Sequence, residues 1–356
     1  MASERYLVTG GCGLIGSHIV EKLRQKYPDA RVAVFSRNPT TNLFPGVSYH
    51  AGDITSTDDV KKAIQETKPT VVFHCAGMMT VGRKNMTDEL VRAINLDGTR
   101  YMLDASKAAG VKAFVTTSSA SVVQKEMYRD IEGGDETMPL AEEGDDTLIY
   151  PKSKAASDKL TLEYNDLQGM RTCTLRPAAV YGERDADLTP KMIGTMRLGR
   201  TKVQIGDNSN RFSTTYAGNA ADAHLAAASK LLDAPDGVAG EAFFITNGPP
   251  MRFWDFSRAM FRAAGDQTKP EEIKVVSLTV ALAYAWVMEW IFWFRGELPP
   301  MNRQIVRFSC MSRWYVIDKA QERLGWRPEV GTEEGIRRAV EWFYENEKKQ
   351  AAKKTA

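Results

Sequence analysis

The first half of the chain alternates short apolar runs with longer segments in which apolar residues recur every three to four positions. The short runs predict strands at 6–10, 31–36, within 46–54, 70–77, 112–122 and 170–182. The longer segments predict helices at 14–27, 58–67, 89–110 and 150–165. Strands that alternate with helices form a parallel sheet with crossover helices. The pattern therefore predicts an α/β fold with a doubly wound, Rossmann-type parallel sheet.

A glycine-rich loop, TGGCGLIG at 9–16, separates the first predicted strand from the first predicted helix. Two glycine spacings, G-x-G-x-x-G and G-x-x-G-x-x-G, are satisfied by Gly10 or Gly11 followed by Gly13 and Gly16. The early glycines permit a tight turn close to a phosphate, and Gly16 lets the helix pack against the strand. The helix start at Leu14 and Ile15 offers free N–H groups to an anion. The loop predicts a dinucleotide pyrophosphate site, with an ordinary glycine-rich turn as the alternative.

The end of the second predicted strand bears on the choice of cofactor. Dinucleotide folds that prefer NAD usually place an acid there, against the ribose 2′-hydroxyl, but this chain has Ser36 and Arg37. A guanidinium can pair with a 2′-phosphate, which favours NADP over NAD. A solvated strand end is the alternative for Arg37. Asp53, followed by Ile54, either accepts a bond from the adenine amino group or caps the next helix.

The motif YPKSK places Tyr150 and Lys154 four residues apart, on one face of a predicted helix. A nearby ammonium and an oxidised nicotinamide both favour the phenolate form of a tyrosine. The fifth predicted strand ends in hydroxyl-bearing residues at 117–121, which can hold a carbonyl oxygen. Together these residues predict a proton-transfer site beside a hydride carrier.

The alternation of strands and helices weakens after residue 182, where prolines, polar segments and a tryptophan-rich stretch follow. We expect a smaller, partly helical C-terminal substrate lobe. The predicted division has a dinucleotide-binding domain at 1–182 that 212–248 rejoins, a substrate-binding lobe at 183–211 and 249–346, and a tail at 347–356. The polar, acidic segment 124–147 predicts a surface loop.

Composition and charge narrow the class of protein. The chain has 356 residues, 43% of them hydrophobic, and 47 basic side chains are balanced by 45 acidic ones. No basic excess indicates a nucleic-acid partner. The four cysteines lack metal-ligand spacing, so no metal site is predicted and a reduced compartment is the simpler expectation. The N-terminal MASERYLVTGG runs directly into the first strand and leaves no room for a signal peptide.

Several motifs, in this order, resemble an extended short-chain dehydrogenase/reductase. They are TGGCGLIG, Asp53-Ile54, HCAG at 74–77, INLDGT around Asn95, TTSSASV at 116–122, YPKSK, LRPAAVYG at 175–182 and FSTTYAGNAADAHLAA at 212–227. The segment YPKSKAASDK and the apolar stretch after 275 resemble the 3β-hydroxysteroid dehydrogenase branch, and within it the fungal decarboxylating sterol-4α-carboxylate 3-dehydrogenases. Ser36 departs from that branch, which usually carries an acid at this position.

The resemblance implies roles for individual residues. Tyr150 becomes the acid/base and Lys154 its activator, while Ser119 orients the substrate oxygen, with Ser121 as the fallback. Asn95 either holds a relay water near Lys154 or is an ordinary internal asparagine. His74 is expected to satisfy backbone groups rather than do chemistry. The cofactor-binding residues predicted by motif and resemblance are Gly10, Gly13, Leu14, Ile15, Gly16, Ser36, Arg37, Asp53, Ile54, Ala76, Gly77, Lys154 and Pro177.

The apolar segment 275–294 is rich in aromatic residues, but its uncharged part stops at Glu289, short of the roughly 20 residues that a spanning helix needs. Its tryptophans suit peripheral contact with a membrane interface, and a buried helix lining the substrate pocket is the alternative. The terminal KKTA resembles a dilysine retrieval signal, although a basic frayed tail is the simpler explanation. We therefore expect the cytoplasmic face of the endoplasmic reticulum, or else the cytoplasm.

The resemblance implies NAD(P)-dependent oxidation of a 3β-hydroxyl on a sterol or steroid-like terpenoid, with decarboxylation at the adjacent C4. An NADPH-dependent reductase of a hydrophobic ketone and a nucleotide-sugar epimerase or dehydratase are the alternatives on this scaffold. The aromatic second lobe argues against a sugar nucleotide, whose diphosphate needs polar and basic partners. The expected partner is a hydrophobic small molecule, and the resemblance also implies a homodimer formed through helices near 90–109 and 150–166.

Overall fold

The computed structural model describes residues 4–79, 86–297, 299 and 301–355. Its strands are β1 Arg5–Thr9, β2 Arg31–Ser36, β3 Val47–Ala51, β4 Val71–His74, β5 Ala113–Thr117, β6 Ile131–Gly134, β7 Arg171–Pro177, β8 Ala179–Tyr181, β9 Val203–Ile205, β10 Arg211–Phe212, β11 Thr214–Tyr216, β12 Glu241–Ile245, β13 Met251–Arg252, β14 Lys274–Val276 and β15 Arg313–Tyr315. Its α-helices are α1 Leu14–Lys26, α2 Thr57–Thr67, α3 Asp88–Arg92, α4 Gly98–Ala108, α5 Ile149–Glu163, α6 Leu188–Arg197, α7 Ala217–Asp233, α8 Phe253–Ala263, α9 Leu278–Phe294, α10 Arg303–Cys310 and α11 Thr332–Thr355.

Seven strands form one parallel sheet in the order β3-β2-β1-β4-β5-β7-β12. The predicted doubly wound fold is confirmed. The chain reverses direction across the sheet between β1 and β4, and ligands of such folds bind outside the carboxyl ends of the strands at this switch point. The glycine loop follows β1 directly, so the topology places it there.

The two faces of the sheet carry separate hydrophobic cores because successive strand residues point to opposite sides. Val8 and Val34 face α1 and α7, while Leu7 and Ala33 face α2, α4 and α5. The fully buried strands therefore read as continuous apolar runs, which is why the sequence shows them clearly.

Three local predictions differ from the structure. The helix predicted at 89–110 is interrupted by a π-helical turn, Ala93–Asp97, between α3 and α4. The strand predicted at 112–122 ends at Thr117 and is followed by the 3-10 turn Ala120–Val123. The predicted surface loop 124–147 contains β6, which pairs with β15 about half the chain away. Pairing over such a separation leaves no local periodicity.

Helices α6, α8 and α11 pack with Phe212 of β10 around a separate aromatic core and form the second, partly helical lobe. In the small sheet β13-β10-β15-β6, Ile131 of β6 and Tyr315 of β15 instead belong to the core that includes β1 and β2. Helix α9 lies against α10 but buries only Ala281 and Ala285 of its own residues. Within the described residues, no helix combines the length and apolar character needed to cross a bilayer.

Candidate active site

The glycine loop has the geometry of a phosphate cradle. Gly10 lies at φ +65°, and a Cβ there would come 2.9 Å from the backbone nitrogen of Ala76. A Cβ on Gly16 would fall on the carbonyl oxygen of Gly10, and one on Gly11 would collide with Val34 at 2.6 Å. A side chain at Gly10, Gly11 or Gly16 would therefore clash with neighbouring atoms, so both glycine spacings have a steric explanation. Within the described part of the chain, no side chain caps α1, whose Ncap is Gly13, so the N–H groups at Leu14 and Ile15 remain available to an anion.

The end of β2 lies beside the loop that follows β3. Ser36 accepts a backbone hydrogen bond from Gly52 at 3.2 Å, and Arg37 is exposed. Among the described residues, Arg37 forms no ion pair within 4 Å. The carboxylate of Asp53 accepts bonds from the backbone and hydroxyl of Thr55, both at 2.8 Å, and these bonds together with the charge of Arg37 lower the pKa of Asp53.

Helix α2 is capped by Ser56, whose hydroxyl accepts the N–H of Asp59 at 3.2 Å. The alternative in which Asp53 caps this helix is therefore wrong. Its carboxylate bonds to Thr55 instead, and its backbone N–H donates to the carboxylate of Asp59 at 2.8 Å. Ile54 is buried and packs against Gly98. A Cβ added to Gly98 would lie 3.0 Å from the side chain of Ile54.

Tyr150 and Ser119 form the candidate proton-transfer pair. Tyr150 lies in the first turn of α5 and is half-buried. Burial raises the pKa of Tyr150, and the nearby hydroxyl of Ser119 partly offsets this effect. The hydroxyls of Ser119 and Ser121 lie 2.9 Å apart, so the assigned serine and its fallback share one polar site.

Lys154 lies one turn further along α5 and is only 5% exposed. Its ammonium donates to the carbonyl oxygen of Thr117 at 2.6 Å. Burial lowers the pKa of Lys154 to about 8, and the negative charge of Asp158 opposes that shift. The strand end that carries the hydroxyl-bearing residues therefore also positions the lysine.

Asp158 and Arg176 were missed by the sequence analysis. They form a fully buried two-pronged ion pair, with Arg176 Nη2 and Nε at 2.8 and 3.1 Å from the two carboxylate oxygens. The signal that could have found Asp158 is its position four residues after Lys154, on the helix face that also carries Tyr150. Arg176 immediately precedes Pro177, which is buried at the carboxyl end of β7.

Asn95 lies in the π-helical turn and is buried. Its amide accepts the N–H of Met78 at 2.8 Å and donates to the Met78 carbonyl at 3.1 Å and to Ser153 at 3.0 Å. A Cβ on Gly77 would lie 3.4 Å from Asn95 Oδ1 and 3.8 Å from Lys154 Nζ. Gly77 therefore lies close to both Asn95 and Lys154. The relay water near Lys154 stays a prediction.

His74 bonds to the hydroxyls of Thr9 and Thr99, at 2.9 and 3.0 Å, rather than to the expected backbone groups. Complete burial lowers the pKa of His74 to about 3, so the ring is neutral at physiological pH. The backbone N–H of Ala76 also bonds to Thr9, at 3.1 Å. His74 thus braces the ends of β1 and β4 next to the glycine loop.

A phosphate cradle and a tyrosine–lysine–serine group lie at the same carboxyl edge of a doubly wound sheet. Fold and site together define a dinucleotide-dependent oxidoreductase of the short-chain dehydrogenase/reductase type. The family model described as 3-beta hydroxysteroid dehydrogenase/isomerase matches residues 7–275, and the chain belongs to this family.

Named relatives cover nearly the whole chain. The decarboxylating sterol-4-alpha-carboxylate 3-dehydrogenase ERG26 of Saccharomyces cerevisiae is 36% identical over 96% of this chain and 98% of its own length. Its counterpart in Schizosaccharomyces pombe is 36% identical over 95% and 97%. A 3 beta-hydroxysteroid dehydrogenase/Delta 5→4-isomerase of Mycobacterium tuberculosis is 31% identical over 99% and 95%.

Solved structures share the fold. The UDP-glucose 4-epimerase of Thermus thermophilus, solved in complex with NAD, superposes with a TM-score of 0.71 at 25% identity, over 96% of this chain and 99% of that one. The UDP-glucose 4-epimerase of Thermotoga maritima gives 0.73 at 22% identity, over 96% and 99%.

Proposed function

We propose that this chain oxidises the 3β-hydroxyl of a sterol with a nicotinamide dinucleotide, and that the product loses a carboxylate from C4. The observation that carries the proposal is the placement of Tyr150 beside Ser119, on the helix that also carries Lys154 and at the edge where the glycine loop lies. The names of the fungal relatives support the substrate class.

A bound nicotinamide dinucleotide supplies the hydride acceptor. The hydroxyl of Ser119 holds the substrate oxygen, and the phenolate of Tyr150 removes the hydroxyl proton as the carbinol carbon is oxidised. The new ketone lies next to the carbon that bears the carboxylate. It therefore accepts the electron pair released when CO₂ leaves, and positioning is the main contribution required of the chain.

Lys154 sets the protonation state of the pair. Its pKa of about 8 keeps most of the side chain as an ammonium at neutral pH. Burial raises the pKa of Tyr150, and a positive charge on the same helix face favours its phenolate form. The buried carboxylate of Asp158 helps to keep the lysine charged.

A panel of 3β-hydroxysterols, with and without a 4-carboxylate, tests the proposed function through nicotinamide absorbance and CO₂ release. We expect turnover of the carboxylated sterols with one CO₂ for each cofactor reduced. The same assay run backwards with hydrophobic ketones covers the reductase alternative. Ketone reduction without any sterol oxidation would overturn the proposal.

NADP is the proposed preferred cofactor. Exposed Arg37 has no carboxylate partner within 4 Å among the described residues and lies close enough to Asp53 to lower its pKa, so it can approach a ribose phosphate at the end of β2. Its planar guanidinium can form two hydrogen bonds to phosphate oxygens.

Replacing Arg37 with Ala should weaken NADP binding by roughly tenfold and leave NAD binding nearly unchanged, because only NADP carries the 2′-phosphate. Cofactor titration by nicotinamide fluorescence measures both affinities. The matched control is Arg31→Ala, an exposed arginine at the opposite end of the same strand. A wild-type preference for NAD would refute the proposed role of Ser36 and Arg37.

Helix α9 is proposed to lie in a membrane interface. Its exposed aromatic residues include Trp293 at 67% and Phe294 at 77%, far above the usual exposure of such side chains. The helix is about 25 Å long, too short to span the hydrocarbon core but suited to lying along its surface. Arg295, directly after it, can meet lipid phosphates. A lipid surface would also hold the sterol.

Replacing Trp293 and Phe294 together with Ser should weaken vesicle binding by roughly tenfold or more, because two large apolar side chains no longer leave water. Co-sedimentation with vesicles of phosphatidylcholine and phosphatidylserine measures the effect. Leu198→Ser is the control, since Leu198 is 66% exposed but lies at the end of α6. Equal binding of both variants would contradict the assignment.

Three further predictions accompany this function. The endoplasmic reticulum location rests on membrane contact and on KKTA, whose lysine side chains lie outside the described residues. The homodimer through helices near 90–109 and 150–166 stays a prediction, as do the domain boundaries. Strand β12 does pair with β7, which ties part of 212–248 to the main sheet.

A further inference from the structure

Arg313, at the start of β15, is a cation that the proposed mechanism does not use. Its guanidinium lies 4.7 Å from the ring centroid of Phe308 and 5.9 Å from that of Phe212. Its Nε is buried and has no hydrogen-bond partner among the described residues. The side chain is thus held between aromatic rings with part of its hydrogen-bonding capacity unused.

No carboxylate lies within 4 Å of Arg313 in the part of the chain that the structure describes. The remaining internal positions, 80–85, 298 and 300, contain no Asp or Glu that could serve. Burial lowers the pKa of Arg313, which reflects the cost of keeping this charge away from water. Arg313 is partly buried, and a cation that is partly withdrawn from water without an anion is unfavourable, so the site suits an anionic ligand.

One set of contacts ties Arg313 to the candidate catalytic serines. The neighbouring Ser312 donates its N–H to Asp130 at 2.8 Å and accepts that of Ile131 at 2.9 Å. Gln124 begins the loop that leads to these residues, and its N–H donates to the carbonyl of Ser121 at 2.9 Å. The ring of Tyr128, in the same loop, lies 6.0 Å from the Phe308 ring.

A second set of contacts ties Arg313 to the carboxyl end of β7. Its carbonyl accepts the N–H of Ser213 at 2.9 Å, and the next residue, Thr214, pairs with Ala179, two residues after Pro177. Tyr315, close enough to affect the pKa of Arg313, stacks on Phe244 at 4.6 Å. Phe244 lies one residue before the strand partner of Pro177. The two sets of contacts therefore connect the start of β15, which carries Arg313, with the serine turn on one side and with the predicted nicotinamide end of β7 on the other.

We propose that Arg313 binds the carboxylate of the substrate, next to the carbon that is oxidised. The inference rests on the proposed function and names the residue that distinguishes a carboxylated sterol from its uncharged counterpart. A guanidinium can grip a carboxylate with two parallel hydrogen bonds, which fixes the orientation of the anion as well as its position. Arg313 is thus a specificity residue, while proton transfer stays with Tyr150.

The first test compares two substrates, a 3β-hydroxysterol with a 4-carboxylate and one without. Arg313→Gln should lower kcat/KM for the carboxylated sterol by roughly a hundredfold, with the uncharged sterol changing less than about threefold. The control is Arg307→Gln, an exposed arginine whose guanidinium lies 4.8 Å from the Tyr128 ring in the same aromatic cluster. It should change neither value. Equal losses on both substrates in Arg313→Gln, or no loss, would overturn the inference.

The second test needs no turnover. Tryptophan fluorescence follows the binding of a 3-deoxysteroid carboxylate and of its methyl ester, which lacks the charge. The wild-type chain should prefer the acid by at least about tenfold, and Arg313→Gln should lose that preference while Arg307→Gln keeps it. Arg313→Lys, which retains the charge, should keep part of the preference for the acid. This variant replaces Arg313→Gln in the test if the glutamine variant does not fold.

The two proposals fail in different ways. If no sterol is oxidised but the acid preference depends on Arg313, the proposed reaction is wrong and the anion site stands. If sterols are oxidised but the wild-type chain shows no acid preference, the role of Arg313 is wrong and the reaction stands. An acid preference that persists in Arg313→Gln equally refutes the role of Arg313.

Discussion

Replacing Tyr150 with Phe should lower kcat for sterol oxidation by about 10²–10⁴-fold, the usual loss when a general acid/base is removed. The change deletes one oxygen and leaves the ring in place, half-buried in the first turn of α5. Cofactor binding should be nearly unaffected, because the glycine loop and Lys154 remain. Stopped-flow turnover together with nicotinamide fluorescence titration separates the two effects.

Tyr164→Phe provides the matched control. Tyr164 follows the last turn of the same helix, and its hydroxyl donates to Asp104 at 2.7 Å on the exposed side of the sheet domain. Loss of this hydroxyl should leave kcat within about twofold of the wild-type value, since surface substitutions are usually close to neutral. Retained activity in Tyr150→Phe would refute the acid/base assignment and with it the proposed reaction.

Replacing Asp158 with Asn should reduce the free energy of unfolding by about 3–5 kcal/mol, because it leaves the buried Arg176 without its counter-charge. The ion pair is almost free of solvent, with side-chain exposures of 4% and 0%. The variant should also show a lower pKa for Lys154, since Asp158 opposes the effect of burial on that lysine. Urea unfolding measures the first effect and the pH profile of oxidation the second.

Glu163→Gln is the control on the same helix. Glu163 pairs with Lys159 at 4.0 Å, and both side chains are more than half exposed. Such a pair contributes at most about 1 kcal/mol, so stability should hardly change. The double variant Asp158→Leu with Arg176→Met should recover part of the loss, because it removes both charges. Wild-type stability in Asp158→Asn would contradict the argument.

The pH dependence follows from the same groups. The pKa of Lys154 is below its usual value, so the folded chain releases this proton near pH 8 while the unfolded chain holds it to about pH 10.4. Between these values the unfolded state binds more protons, and the contribution of Lys154 to stability rises with pH. Below pH 8 the buried ammonium of Lys154 lowers the free energy of unfolding. The cation that the proposed mechanism requires therefore reduces the stability of the fold.

The sequence by itself determined the parts of the molecule that depend on near neighbours in the chain. Strands buried on both faces appear as uninterrupted apolar runs, so β1, β2, β4, β5 and β7 could be located. The glycine loop and the Tyr150–Lys154 pair are also local, because their geometry follows from one turn and from one helix repeat.

Tertiary structure decided everything that depends on distant segments meeting. No periodicity in the sequence relates β6 to β15 or Asp158 to Arg176, although these segments and side chains pair in the folded chain. The sequence likewise gives no sign that the Nε of Arg313 lacks a hydrogen-bond partner among the described residues. The exposure of α9 is of the same kind, since an apolar sequence is equally consistent with a buried and an uncovered helix. The physical reason is that burial and charge pairing depend on which surfaces the folded chain brings together, and a local pattern records only the preferences of its own segment.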